Sequence, residues 1–222
     1  MIGRLLVGLV VSAVAAAGAQ AGVIEVQVKL PMAEKIDTTG MSRLLVAGFR
    51  ASDHPTVEVG KEVVHVLRGL FRKHTRFEVL DVDPLPLPEQ SIEEAVRNTA
   101  YWRRVGKRYN ADLIVAGTAD FGTEDQSGFV DRDYISPRTG QRLRQSRWVE
   151  RESFQLKLGM YFLRGSSGDL LYEDHFEEEM LFNGKSTDDL TVLLQEMESI
   201  GNGVLAIVSP RPRVESRYLF TD

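Results

Sequence analysis

Apolar residues recur along this chain at two different steps, and the switches between them mark out the elements. Ile24, Val26, Val28 and Leu30 fall on one face of a stretch whose other face carries Glu25, Gln27 and Lys29. That is the period of a half-buried strand, stopped by Pro31. Arg43 to Phe49, RLLVAGF, is a short continuous apolar run and predicts a strand covered on both faces. After the loop RASDHPT, in which Thr56 can cap a helix, Val59, Val63, Val66, Leu67, Leu70 and Phe71 recur at steps of three and four. They predict an amphipathic helix of about four turns. Arg68, Arg72 and Lys73 fall mostly off its apolar face, and the basic residues near its end suit the helix dipole. Arg76 to Asp81 reads as a further strand, and the three prolines of DVDPLPLPEQ forbid regular structure in a linker.

Ser91 and Glu94 form a capping-box pattern, and the helix they start turns Ile92, Ala95, Val96, Trp102, Val105 and Tyr109 inward, with Asn110 to close it. Leu113 to Gly117 is apolar enough for a central strand. The segment 120–151 is polar, and within it SPRTGQ reads as the turn of an extended hairpin. The clearest alternation follows. Phe154, Leu156, Leu158, Met160 and Phe162 interleave with Ser153, Gln155, Lys157, Gly159 and Tyr161. This predicts a strand with one face on the core and one largely solvated. RGSSGD turns the chain, and Leu170 to about Met180 returns as the partner strand. Ser186 with Asp189 can start a last helix, whose buried stripe is Leu190, Leu193, Leu194, Met197, Gly201, Val204, Leu205 and Val208, bounded by Pro210. The fold class is therefore α/β, a mixed β-sheet with helices packed on it and an extended β-hairpin. The expected organisation is a leader at 1–21, an extension with one strand at 22–42, a single α/β domain at 43–210 holding the hairpin insertion 120–151, and a tail at 211–222.

Composition narrows the setting. Arg4, the apolar run Leu5 to Ala17 and the closing Ala19-Gln20-Ala21 have the layout of a cleavable secretory signal, and a retained anchor is the alternative. The expected location is the periplasm, with peripheral outer-membrane association open. The chain has no cysteine, which excludes disulfides, thiolate nucleophiles and a cysteine-borne lipid. A net charge of −5 gives no global signature for nucleic acid or anionic lipid.

Candidate chemistry is sparse. GSSGD lacks the lysine and following helix of a phosphate loop and the Gly-x-Ser-x-Gly spacing of a nucleophile elbow, so it reads as a hairpin turn. His54, His65, His74 and His175 show no metal-ligand spacing. Asp81/Asp83 and Asp131/Asp133 could hold a divalent cation in a hydrolase, but such short motifs more often solubilise strand ends and loops. Glu173, Asp174, Glu177, Glu178 and Glu179 make an acidic strand edge that discourages edge-to-edge pairing or docks a basic partner. Arg138, Arg142, Arg144, Arg147 and Arg151, with Tyr134 and Trp148, interleave basic and aromatic residues as single-strand binders do. Export, negative net charge and the acids Asp131, Asp133 and Glu150 favour a protein-contacting arm instead. No catalytic, metal or cofactor residues are expected. The candidate partner contacts are Tyr134, Arg138, Arg142, Arg144, Arg147 and Trp148 in the hairpin and Arg211, Arg213, Arg217 and Tyr218 in the tail.

Three segments together resemble a known group. SRLLVAGF with the helix and RFEVLDV that follow is similar to its first β–α–β unit. VGKRYNADLIVAGTADF resembles its helix-then-strand signature, and LKLGMYFLRGSSGDLLYEDHFEEE its strand, glycine-acid turn, strand hairpin. The group is the periplasmic fold shared by the curli-secretion CsgG family, the lipoprotein activators of penicillin-binding proteins and the N-terminal domain of TolB. The resemblance covers most of residues 43–208. It implies an anticodon-binding-domain-like fold used in envelope biogenesis or secretion to bind envelope proteins, with no catalytic residues and with homo-oligomerisation open. A secretion-pore subunit is the alternative. The missing lipidated cysteine and the charged hairpin depart from that pattern and put channel formation in doubt.

Overall fold

The computed structural model describes residues 23–220 apart from Ser136, Thr139 and 185–187, so the leader at 1–21 and the Ser186 cap lie outside the described residues. In chain order the elements are β1 (Val23–Met32), β2 (Arg43–Ala51), α1 (Val59–His74), β3 (Glu78–Val79), α2 (Ile92–Arg97), α3 (Thr99–Tyr109), β4 (Leu113–Asp125), β5 (Gly128–Ile135), β6 (Arg142–Val149), β7 (Arg151–Arg164), β8 (Leu170–Asn183), α4 (Asp189–Val208) and β9 (Arg211–Phe220). A five-stranded mixed sheet runs in the order β3-β2-β4-β7-β8, with β2 parallel to β3 and β4, and β7 antiparallel to both β4 and β8. Two further ladders are two-stranded and antiparallel, β1 with β9 and β5 with β6.

The central strands, apolar at consecutive positions, are buried on both faces over much of their length. On one face Leu44, Val46, Leu113, Val115 and the series Phe154, Leu156, Leu158, Met160 and Phe162 pack under α1 and α4. On the other, Leu45, Ala47, Ile114, Ala116, Tyr161 and Leu163 pack under α2 and α3 through Val96, Trp102 and Val105. The alternation in β7 therefore does not mean a solvated second face throughout. Tyr161 and Leu163 are fully covered by the second helical layer. Of the expected solvated positions within β7 only Lys157 is exposed; Gln155 is half-buried and Ser153, nearer the start of the strand, is buried.

Local signals explain most element ends. The Ser91 hydroxyl accepts the Glu94 amide at 3.2 Å, which starts α2 as the capping pattern requires. The single helix expected from Ser91 to Tyr109 is instead broken at Asn98, whose side chain accepts the Tyr101 amide at 3.1 Å and caps α3. The break lets the indole of Trp102 turn inward and donate to the Ala95 carbonyl at 2.7 Å. Asn110 closes α3 in the left-handed conformation at φ 50°. Thr56 does not cap α1; its hydroxyl bonds Asp189 at the start of α4, and Asp188 caps that helix by accepting the Thr191 amide at 3.1 Å. Asp112 holds the start of β2 beside β4 by accepting the amides of Ser42 and Arg43 at 2.8 and 2.9 Å.

Arg68 corrects the helix reading. Its side chain is only 11% exposed and its guanidinium donates to the carbonyls of Val46 and Val82, with Asp81 at 3.7 Å. It ties the proline-rich linker to β2 rather than standing in solvent, and the strand expected over 76–81 shrinks to Glu78–Val79. Along α4 the stripe is wider than the apolar pattern indicated. Val192, Glu196, Ile200 and Ile207 are buried, whereas Leu194 is 41% exposed beside the groove between α1 and α4.

RGSSGD is a turn between two strands. Gly168 sits at φ 82°, and the Arg164 amide closes onto the Asp169 carbonyl at 2.8 Å. The neighbouring Gly165 packs so closely that a methyl group on Gly106 of α3 would run into its carbonyl oxygen. Gly106→Ala is therefore expected to lower unfolding free energy by about 1–3 kcal/mol through overpacking. The exposed helical Gly69, which has nothing near its missing Cβ, should gain about 0.5–1 kcal/mol when changed to alanine. Urea unfolding of the two variants checks the contrast.

Candidate functional site

The β5–β6 ribbon leaves the body where β4 and β7 outrun the helices. Its base is fastened by the Gln126 amide on the Arg151 carbonyl at 2.9 Å and the Arg151 amide on the Ser127 hydroxyl at 3.1 Å. Beyond that base every described side chain from Phe129 to Trp148 is exposed. Residues opposite one another in an antiparallel pair share a face. One face thus carries Phe129 with Trp148, Asp131 with Ser146, Asp133 with Arg144, and Ile135 with Arg142. The other carries Val130 with Arg147, Arg132 with Gln145, and Tyr134 with Leu143. Phe129 and Trp148 meet edge to face at 5.0 Å while remaining 74% and 51% exposed. Large aromatic rings fixed in water in this way are suited to burial against a partner.

Tyr134, Arg138, Arg142, Arg144, Arg147 and Trp148 are brought together on this ribbon. Arg211, Arg213, Arg217 and Tyr218 stand on a separate ladder, because the segment expected as a tail forms β9 and pairs with β1 along ten residues. Tyr218 and Arg217 are exposed on it; the Arg213 side chain lies outside the described residues. Three of the four acids in the two Asp-x-Asp pairs are committed locally. Asp81 faces Arg68, Asp133 lies 3.5 Å from Arg144, and Asp131 accepts the Ser146 hydroxyl. Among the described residues no cluster of three or more histidine or acidic side chains is arranged to hold a metal ion.

A second surface is acidic. Helices α2 and α3 cover only one end of their sheet face, and the register places Asp120, Lys157 and Glu177 in one row and Gly122, Gln155 and Glu179 in the next on the uncovered end. Glu177 accepts from Gln155 at 2.8 Å and lies 3.6 Å from the Lys157 ammonium; Glu179 accepts from Ser153 at 2.7 Å. The acids are thereby held in extended positions along β8, the last strand of the sheet. Glu173, His175, Glu177, Glu179 and Leu181 are all exposed there.

No family model matches the chain, and no curated protein does. Among solved structures it is similar to the PelC dodecamer from Paraburkholderia phytofirmans, with a TM-score of 0.43 and 10% identity over 84% of this chain and 98% of that one. It is also similar to the LpoB C-terminal domain from Salmonella enterica, with a TM-score of 0.38 and 13% identity over 64% and 87% respectively. Likeness at this level leaves the family unassigned.

One residue of chemical interest gives no signal in the sequence. Glu196 is completely buried on α4, and neither of its carboxylate oxygens accepts a hydrogen bond from the described residues. Burial first, then the nearby carboxylates Glu178 and Glu179 of β8, push its pKa up from 4.5 to about 7. An unpaired charge at that depth is costly, so the group resides there as the neutral acid below about pH 7. The folded state then keeps a proton that the unfolded chain releases near its ordinary pKa of 4.5. Its contribution is fully present below pH 4.5 and is lost progressively as pH rises to about 7. The integrated effect is on the order of 3 kcal/mol. Glu196→Gln should flatten this decline, which urea unfolding of both proteins at pH 5 and at pH 8 would read; parallel pH profiles would refute the buried-acid account.

Proposed function

We propose that this chain is an exported, non-enzymatic binding domain that scaffolds or regulates an assembly of the cell envelope, acting through the β5–β6 ribbon. The observation that carries the reading is the ribbon itself. It displays Phe129, Trp148, Tyr134 and Ile135 to solvent, though none of them is needed by either core. Apolar exposure of this kind is a liability unless a partner covers it. The leader pattern at 1–21 supports export to the periplasm, and the motif resemblance supports a CsgG-like or penicillin-binding-protein-activator-like role. Exposed Arg217 and Tyr218 on β9 supply a second candidate contact.

A pore-forming strand pair would need one continuous lipid-facing apolar face. Here Asp131, Asp133, Arg142 and Arg144 interrupt one face, and Arg132 and Arg147 interrupt the other. This favours a soluble protein contact over membrane insertion. Replacing residues 128–149 with a short Gly-Ser turn should leave the unfolding free energy of the body within about 1 kcal/mol of the parent, since among its described residues only Gly128 and Val149 at the base of the ribbon are even half-buried. The same deletion should remove the proteins that co-purify from envelope extract. An unchanged set of co-purifying proteins would refute the ribbon as the contact arm.

A further inference from the structure

The ribbon and the acidic end of the sheet belong to one chain, and their charges are opposite. Residues 128–149 carry five arginines, Arg132, Arg138, Arg142, Arg144 and Arg147, against two aspartates, Asp131 and Asp133. Strand β8 carries five acids and no lysine or arginine. Beside it the open sheet face adds Asp120 and Glu124, with Lys157 the one cation in those rows. We propose that the ribbon of one copy of this chain docks on the acidic β8 end of the sheet of a second copy. The inference rests on the ribbon being a contact arm and names the partner as the chain itself.

Several features favour this occupant. Strand β8 is last in the sheet order, so among the described residues its outer edge pairs with nothing. Pairing β8 with another β8 would set carboxylates against carboxylates, which rejects a symmetric edge-to-edge dimer. A basic strand meets no such repulsion. Arg142 and Arg144 are separated by the same two-residue step, on one face, as Glu177 and Glu179. Opposed strands can therefore bring both pairs together at once. The eight residues of β6 span about 26 Å, and the fourteen of β8 span about 46 Å, so the receptor is long enough for the arm. The exposed Leu181, on the same face as Glu177 and Glu179, provides an apolar landing point for an arm aromatic ring.

The contact joins two different patches, so each copy keeps a free arm at one end and a free receptor at the other. Repetition of such a contact closes into a ring or extends into a filament rather than stopping at a dimer. Much of the attraction is between exposed charges, so it is screened by salt over a distance of about 8 Å at physiological ionic strength.

The test uses the mature chain in sedimentation velocity at low and at high salt. The expected result is concentration-dependent association at low salt that weakens by about tenfold or more at high salt. An arm-reversed variant, Arg142→Glu with Arg144→Glu, and an edge-reversed variant, Glu177→Lys with Glu179→Lys, should each be monomeric alone and associate when mixed. Should the reversal disturb folding, the neutral Glu177→Gln, Glu179→Gln protein replaces it and should associate more weakly than wild type; undiminished association would count against the proposal. A wild-type chain that stays monomeric at low salt, an edge-reversed variant that still associates, or a mixture that fails to recover association would overturn the proposal. Loss of co-purifying proteins on ribbon deletion with a monomeric wild type would sink self-docking alone; association that persists without the ribbon would sink the ribbon's role as well.

Discussion

Strand β7 is the element on which the architecture turns. It is hydrogen-bonded along thirteen register positions to β4 and along almost all of its length to β8, and from Leu158 to Leu163 its side chains are buried on both faces. Helices α1 and α4 seal one face, and α2 and α3 seal one end of the other. The cover on that second face stops while β4, β7 and β8 continue. Backbone pairing, not side-chain burial, then carries these strands outward. Two consequences follow from the mismatch: a ribbon that projects without a core of its own, and a patch of sheet whose outward positions are mostly polar, with Leu181 the exposed exception. Both candidate surfaces are products of strands longer than their helical cover.

Among the described residues the interior also contains Arg68 and Glu196, ionisable side chains that a purely apolar core would omit, and they are handled oppositely. Arg68 stays charged, its guanidinium set against carbonyl acceptors and Asp81, and in exchange it fixes a linker whose prolines cannot bond to one another. Glu196 has no such partners and escapes the cost of burial by holding its proton. The contrast is physical. A guanidinium cannot shed its charge at any accessible pH, whereas a carboxyl can. Because Glu178 and Glu179 act on Glu196 from β8, the packing of α4 is electrostatically coupled to the strand proposed to receive a basic arm. The coupling acts between adjacent elements, with Ser199 of α4 also donating to Glu178 at 2.9 Å.

Periodicity made the β2, α1, β4 and α4 elements and the β7–β8 and β5–β6 hairpins legible, since each declares itself within a short window of residues. It reports faces, however, and not what covers them. That is why the pattern puts Tyr161 on the solvated side although α3 lies over it, and why Arg68, an ordinary surface residue by pattern, is a buried tie. The β1–β9 ladder joins residues nearly the whole chain apart, with Val23 opposite Phe220, and nothing local to either segment encodes the pairing. The break at Asn98 was hidden for a different reason: Asn98 has no strong helix-breaking signature, and the turn serves the indole of Trp102 several residues on. For the candidate site, the arginines and aromatics of the hairpin were visible as a cluster. Their opposite number on β8 was visible as well, but only the sheet order shows that β8 is the last strand of the sheet among the described residues.

The central claim is that β4 and β7 are locked into the body while the ribbon they lead into is not. Hydrogen exchange of backbone amides at low protein concentration measures this directly. The account predicts that the amides of residues 113–121 and 154–163 exchange only through global unfolding, whereas those of 128–149 exchange by far cheaper local opening. Protection of the ribbon equal to that of β7 under those conditions would contradict it, because the arm would then be packed on its own chain.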